Sequence, residues 1–215
     1  VFSSPNVQLA YYVKSVIGFG NVKQVKDKNA YLFIISSKDG ILKVINLVNG
    51  KLRTRNKFNQ VLTNVLVHPR YVKENIKFQI NDSNSLDNHW IAGFSDADAS
   101  FQIKIIKSNR PKPEIRLNFQ IDQQDKDMLI LIKNLFGGNI GYRESQNTYY
   151  YGSTSFGSAR NVINYFDKFH LQSSKHNNYL KWRKAYILIQ EKHHLIEVGI
   201  DKIMNLKNSM NRNSV

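Results

Sequence analysis

At 215 residues, with 41% hydrophobic and 12% aromatic residues, the chain can hold one large domain or two modest ones and is too apolar to be disordered. Its 31 Lys+Arg against 16 Asp+Glu leave a net charge of +15, which points to nucleic acid first and an anionic membrane surface second. The absence of cysteine excludes disulfides and cysteine-based zinc sites, and no apolar run approaches the ~18 residues of a bilayer span.

The chain opens on Val1-Phe2-Ser3-Ser4-Pro5, with neither an initiator Met nor a charged leader. Helical spacing predicts a helix over about Asn6 to Val16, ending at glycines. A hairpin follows, Val22 to Val25 with Tyr31 to Ser36, and then a helix from Gly40 to Leu47. His68 onward is mostly polar, with Pro69 and the turn-forming cluster Asn81-Asp82-Ser83-Asn84-Ser85, and reads as a linker over residues 68–87. Beyond it Trp90, Ile91 and Phe94 form an apolar stripe at helical spacing, with Asp87 as the expected N-cap. Strands are expected over Phe101 to Lys107 and Glu114 to Ile121, joined by the loop Ser108 to Pro113. Next come a helix, Gln124 to Leu135, a second hairpin, Ile140 to Arg143 with Tyr149 to Thr154, and a helix, Ser158 to Phe166. Tyr179, Trp182 and Tyr186, then Ile196, Ile200, Ile203, Leu206 and Met210, mark two more core-facing helical stripes. The tail Asn211 to Ser214 is expected to fray.

This order contains a repeat. Gly20-Asn21-Val22 corresponds to Gly138-Asn139-Ile140, and at the same offset of 118 Tyr31 falls on Tyr149, Val44-Ile45-Asn46 on Val162-Ile163-Asn164, and Lys57 on Lys175. The later copy reads helix–strand–strand–helix–strand–strand–helix, an α+β arrangement with an antiparallel sheet covered by helices on one face. The earlier copy lacks the opening helix and first strand, with Val1-Phe2 as the remnant of its second strand. The expected organisation is an incomplete N-terminal repeat (1–67), a linker (68–87) and a complete C-terminal repeat with a helical tail (88–215).

The stretch His89 to Phe101 carries the candidate chemistry. Gly93 and Ala97, four residues apart, share one side of the helix and would let another backbone approach closely. Asp96 and Asp98 fall in the last turn, at the negative end of the helix dipole, where carboxylates are unfavourable and a cation would offset them. From spacing alone these two Asp residues either end a surface helix or offer oxygen to a hard divalent ion.

The run Ile91 to Ala99 resembles the signature helix of the LAGLIDADG homing endonucleases and intron-encoded maturases, with Ala99 where the final glycine usually stands. The resemblance implies homing-endonuclease-like αββαββα repeats forming a curved antiparallel-sheet saddle. It implies Asp98 as the catalytic acid and ligand of Mg²⁺ or another divalent cation, and Gly93 and Ala97 as the helix seam. The segment Leu171 to Trp182 is similar to the family stretch bearing the active-site cation, here Lys175, which would stabilise charge at the scissile phosphate. Phe119 to Gln123 is similar to the strand whose last Gln orders the attacking water. Gln123 takes that role or simply caps the next helix, and its counterpart in the first half at offset 119 is Ser4. His194 to Asn211 is similar to the fungal mitochondrial, intron-encoded branch, in keeping with an Asn-, Lys- and Ile-rich chain.

Alternation puts Gln102 and Lys104 on one strand face and Arg116, Asn118 and Gln120 on another, the side chains that read base edges from a β-ribbon in the major groove. Lys23, Lys26, Lys28, Arg143 and Tyr149 from the hairpins, with Lys57, complete the expected nucleic-acid surface. The leading expectation is a site-specific endonuclease acting on duplex DNA, with the missing signature helix lost by shortening or supplied by a second polypeptide. The alternative is a catalytically retired binder of intron or ribosomal RNA, a maturase or an organellar ribosome-associated subunit. No membrane partner is expected.

Overall fold

The computed structural model describes residues 1–107 and 112–210; the expected frayed tail and most of the Ser108 to Pro113 loop lie outside them. The chain divides into two compact units, Val1–Asn84 and Ser85–Val215.

In the first unit β1 (Phe2–Ser3), α1 (Val7–Ile17), β2 (Asn21–Gln24), β3 (Ala30–Ile34) and α2 (Lys38–Val48) are followed by α3 (Arg55–Val61) and the short α4 (Pro69–Val72). The three strands form an antiparallel sheet in the order β1-β3-β2. Helix α1 stops where Gly18 turns left-handed at φ 81° and returns its amide to the Lys14 carbonyl, a conformation glycine adopts without steric cost. Ser37 starts α2 by accepting the Gly40 amide at 3.2 Å. Lys23 stands opposite Leu32 and Asn21 opposite Ile34, so these four share one sheet face, and Ile34 is well exposed on it.

The segment expected to be a linker is largely structured. His68 Nδ1 accepts the Arg70 amide to cap α4. The Gly50 amide donates to the Gln79 carbonyl at 2.9 Å and the Asn81 amide to that of Leu52 at 2.8 Å. Backbone groups of 77–81 thus find partners in the turn after α2, which fixes them to the first unit although their composition is polar.

The second unit runs α5 (Trp90–Asp98), β4 (Ala99–Ile106), β5 (Glu114–Gln123), α6 (Lys126–Phe136), β6 (Asn139–Arg143), β7 (Thr148–Ser153), α7 (Phe156–Lys168), α8 (Lys175–Gln190) and α9 (Glu197–Ser209). Its sheet is antiparallel throughout, in the order β4-β5-β7-β6. Alternation decides the faces. Ala99, Phe101 and Ile103 are buried while Lys104 is exposed, and the buried set packs under the helices. Phe101 lies at the centre, its ring 5.1 Å from Phe119, 5.6 Å from Phe166 and 5.5 Å from both Tyr179 and Trp182, spacings that favour edge and tilted aromatic contacts. Gly137 ends α6 by returning its amide to the Lys133 carbonyl, as Gly18 does to Lys14, although in a more extended conformation. Ser155 accepts the Ser158 amide at 3.1 Å to start α7, the counterpart of Ser37. Among the described residues no helix is long and apolar enough to cross a membrane.

Candidate active site and nucleic-acid face

Helix α5 lays Ile91, Ala92 and Ser95 into the core of its own unit. Trp90 and Phe94 are only half-buried and stack on each other at 4.7 Å. The helix begins differently from expectation: Asn88 Oδ1 accepts the Trp90 amide at 2.9 Å. Asp87 instead pairs with Lys168 at 2.7 Å, because it lies a residue too far from the first turn to reach it. Gly93, Ala97 and Asp98 are exposed on the remaining side, and among the described residues nothing beyond the helix's own backbone and the chain neighbours lies within 4 Å of a Cβ built on Gly93.

Three segments meet where α5 passes into β4. Gln123, the last residue of β5, donates from Nε2 to Asp98 Oδ2 at 2.6 Å. It does not cap α6; Asp125 does, accepting the Asp127 amide at 3.0 Å. Lys175, the first residue of α8, donates from Nζ to the Ala97 carbonyl at 2.8 Å and to that of Ser95 at 3.1 Å. An ammonium on the orphan carbonyls of a helix end complements both the hydrogen bonding and the dipole. Burial pushes the Lys175 ammonium below the ordinary lysine range, opposed first by the charge of Asp98 and then by that of Asp96.

Asp96, paired with Asp98 in the sequence, serves a different purpose. Its Oδ2 accepts the Gln172 amide at 2.8 Å, and its Oδ1 accepts the Ser173 amide at 3.0 Å and the Ser173 hydroxyl at 2.5 Å. Ser173 Oγ in turn accepts the Lys175 amide at 3.2 Å. One carboxylate thereby fastens the segment carrying Lys175 to the helix carrying Asp98. No sequence signal names that partner loop, which is 76 residues away.

Among the described residues no group of three or more His, Cys, Asp or Glu could hold a metal ion. The exposed Asp98 carboxylate, with one oxygen held by Gln123, fits the other mode of binding a hard ion: one or two protein carboxylates, with water and phosphate oxygens completing the shell.

The open face of the second sheet carries most of the expected contacts. Lys104 stands beside Arg116, and Gln102 beside Asn118. Arg116 is held by Glu114 in a two-bond fork of 2.6 and 3.0 Å. Asn118 departs from expectation: on a central strand between long neighbours it is only 3% exposed. Arg143 is half-committed, with Nη1 2.6 Å from Asp122 Oδ1 and its guanidinium 4.8 Å from the Tyr150 ring centre. Tyr149 lies on the other face. It pairs with Gln123 and Tyr142, packs against the buried core, and its ring meets Tyr142 at 4.8 Å. In the first unit Lys23 is exposed on β2, and Lys26 and Lys28 are exposed in the β2–β3 turn.

Two correspondences between the halves shift. Phe2 pairs with Tyr31 as Gln123 pairs with Tyr149, so Phe2 and not Ser4 occupies the place of Gln123. Helix α2 has 11 residues against 13 for α7. The counterpart of Lys175, first residue of α8, is therefore Arg55, first residue of α3, while Lys57 lies further along and donates to Gln60 Oε1 at 3.2 Å.

An αββαββα unit presenting a carboxylate at the helix–sheet junction, beside a polar sheet face, defines a class. The meganuclease I-AabMI, solved bound to uncleaved DNA, has this fold: TM-score 0.80 at 20% identity, over 99% of this chain and 88% of that one. The K262A mutant of I-SmaMI gives TM-score 0.80 at 22% identity, over 99% and 87%. The LAGLIDADG endonuclease family profile matches residues 91–186. The cox1 intron-2 37.2 kDa protein of Schizosaccharomyces pombe is 58% identical over 94% of this chain and 63% of its own length. Probable intron-encoded endonuclease 4 of Neurospora crassa is 29% identical over 98% of this chain and 39% of its own. Residues 91–186 thus match the LAGLIDADG endonuclease family, and nearly the whole chain is similar to fungal intron-encoded proteins. The chain spans less than two thirds of the length of these curated relatives.

Proposed function

We propose that the chain belongs to a site-specific DNA endonuclease, encoded by a fungal mitochondrial intron, that hydrolyses phosphodiester bonds with Mg²⁺ or a similar divalent ion. The observation carrying this reading is the convergence of the Asp98 carboxylate, the Gln123 amide at 2.6 Å and the Lys175 ammonium two carbonyls away, from three separate segments. A divalent ion at Asp98 would supply a water of lowered pKa and charge for the leaving oxygen. Gln123 fixes one carboxylate oxygen and so aims the other. Its remaining amide hydrogen can orient the attacking water. Lys175 keeps a third N–H and its positive charge for a phosphate oxygen, where charge grows as the bond breaks. Lys104, Lys23, Lys26 and Lys28 supply the sequence-independent phosphate attraction.

Cleavage of both strands calls for a second acid. In this reading it comes from another signature helix, in the same polypeptide or a second one, docked on the exposed Gly93 and Ala97. The test is Asp98→Asn in the complete polypeptide. The substitution keeps shape and removes a charge, so cleavage of a cognate duplex should drop at least a hundredfold while duplex affinity stays within about threefold. Unchanged cleavage refutes the assignment.

A further inference from the structure

The first turn of α6 holds a cation that the fold does not need. Lys126 opens the helix, at the end where the dipole favours acids over bases. Among the described residues no carboxylate pairs with it, although Asp125 and Asp127 flank it in the sequence. Its ammonium instead lies 5.6 Å from the ring centre of Tyr149, within cation–π range. The first unit has the tyrosine without the cation: Tyr31 stands at the matching strand position, but α1 opens with Val7.

Tyr149 is well anchored. It packs against the buried core, its ring meets that of Tyr142 at 4.8 Å, and the Tyr142 hydroxyl donates to Asn147 Oδ1 at 2.6 Å. Across the ladder its partner is Gln123, the residue whose amide fixes Asp98. Side chains directly opposite on one sheet face stand about 5 Å apart at Cβ. The Lys126 ammonium is therefore at most about 14 Å from the Gln123 Cβ, the rise of about four nucleotides of one strand. An ammonium held against a ring keeps N–H groups free to donate. Lys175 differs in this respect, since it already donates to two carbonyls.

We propose that Lys126 binds a backbone phosphate within about four nucleotides of the bond served by Asp98, and that Tyr149 is the positioning residue that holds its ammonium there. The proposal rests on the reading of the second unit as a duplex-DNA nuclease. What Lys126 recognises is one phosphodiester charge, whatever base it carries. A lysine between two aspartates can be neutralised by either. The ring of Tyr149 attracts the ammonium while leaving its charge intact. A phosphate fastened close to the cut keeps the scissile one in register with Asp98, so the contact contributes to the rate as well as to affinity.

The test uses the complete polypeptide and duplexes in which one phosphate at a time, over about four nucleotides on either side of the bond cut at Asp98, is replaced by a neutral methylphosphonate. Binding across a salt series and single-turnover cleavage are measured for the unmodified protein, Lys126→Gln, Tyr149→Leu and Tyr149→Phe. For the unmodified protein, replacement at one position should weaken binding about fivefold, the worth of one hydrogen bond. Lys126→Gln should weaken binding to the all-phosphate duplex by about as much and lower the salt slope by about one. It should also be indifferent to the replacement at that position, because both changes remove one contact. Tyr149→Leu has no π face and should blunt the effect of that replacement, whereas Tyr149→Phe should retain it. If each replacement costs Lys126→Gln as much as the unmodified protein, the phosphate contact is overturned. If Tyr149→Leu stays as sensitive as the unmodified protein, or Tyr149→Phe is no more sensitive than Tyr149→Leu, the positioning role is overturned. If the unmodified protein shows no salt-dependent duplex binding, the DNA reading itself fails, a result distinguishable from the others.

Discussion

Removing the Asp96 carboxylate should loosen the joint between the helix that holds Asp98 and the segment that holds Lys175. The carboxylate accepts three hydrogen bonds at 2.5–3.0 Å from Gln172 and Ser173. Bonds to a charged acceptor contribute about 1.5–3 kcal/mol each, but these share one half-exposed group, so Asp96→Ala should destabilise the second unit by about 2–4 kcal/mol. For a chain of this size that lowers the thermal midpoint by roughly 5–12 °C. Ser173→Ala removes only the hydroxyl contact and should cost about 1 kcal/mol. The double variant should be less destabilised than the sum by at least about 0.5 kcal/mol, because both changes remove the same bond. Urea and thermal unfolding, followed by the fluorescence of the buried Trp182, read these differences. An Asp96→Ala midpoint within about 0.5 kcal/mol of the parent, or strict additivity with Ser173→Ala, refutes the claim that this carboxylate holds the joint.

Lys175 gives a pH prediction. Its ammonium titrates below the usual lysine value, so between the folded and unfolded pKa values the unfolded chain binds more protons and stability rises with pH through that window. If Lys175 acts at the phosphate as proposed, its charge is lost over the same window, and cleavage should fall on the alkaline side earlier than an ordinary lysine would cause. Lys175→Arg, which keeps its charge, should move that limb upward; an unmoved limb in a pH–rate profile excludes Lys175 as its source. Glycines give a paired test. Gly138→Ala meets the Gly152 carbonyl at 2.6 Å at a φ of 89° and should cost about 1–3 kcal/mol. Gly93→Ala meets nothing among the described residues outside its own helix and should stabilise α5 by up to about 1 kcal/mol while impairing cleavage if a second helix docks there. Unfolding midpoints and cleavage rates decide both.

Much of the architecture was legible because it is written in short-range chemistry. Glycines after both α1 and α6, helical spacing of apolar residues, and alternation along β4 placed the elements to within a few residues. Asp98, Gln123 and Lys175 were singled out by likeness to a family, and they do meet. What stayed hidden depends on partners distant in sequence. Asp96 and Asp98 look equivalent in the last turn of one helix, yet one binds a loop and the other faces outward. Asp122 was available from strand parity, two residues from Gln120, but a carboxylate on a basic face suggests repulsion of DNA until its hydrogen-bonding role is seen. Lys57 was mismatched to Lys175 because a two-residue difference in helix length leaves no mark in a lysine-rich sequence. Tyr149 was misplaced because a tyrosine one step out of phase belongs to the other side of the sheet.

The two sheets of this duplicated fold have parted in outward chemistry. One displays Lys23 beside Leu32, and Asn21 beside Ile34; the other displays Gln102, Gln120 and the Asp122 carboxylate, to which Gln120 donates at 2.9 Å. Aliphatic side chains favour thymine methyls, whereas amides discriminate by lone pairs and hydrogens. On the proposed duplex-DNA reading, two faces of such unlike chemistry give no reason for the sequence bound to be a palindrome, and each face can be altered by selection on its own.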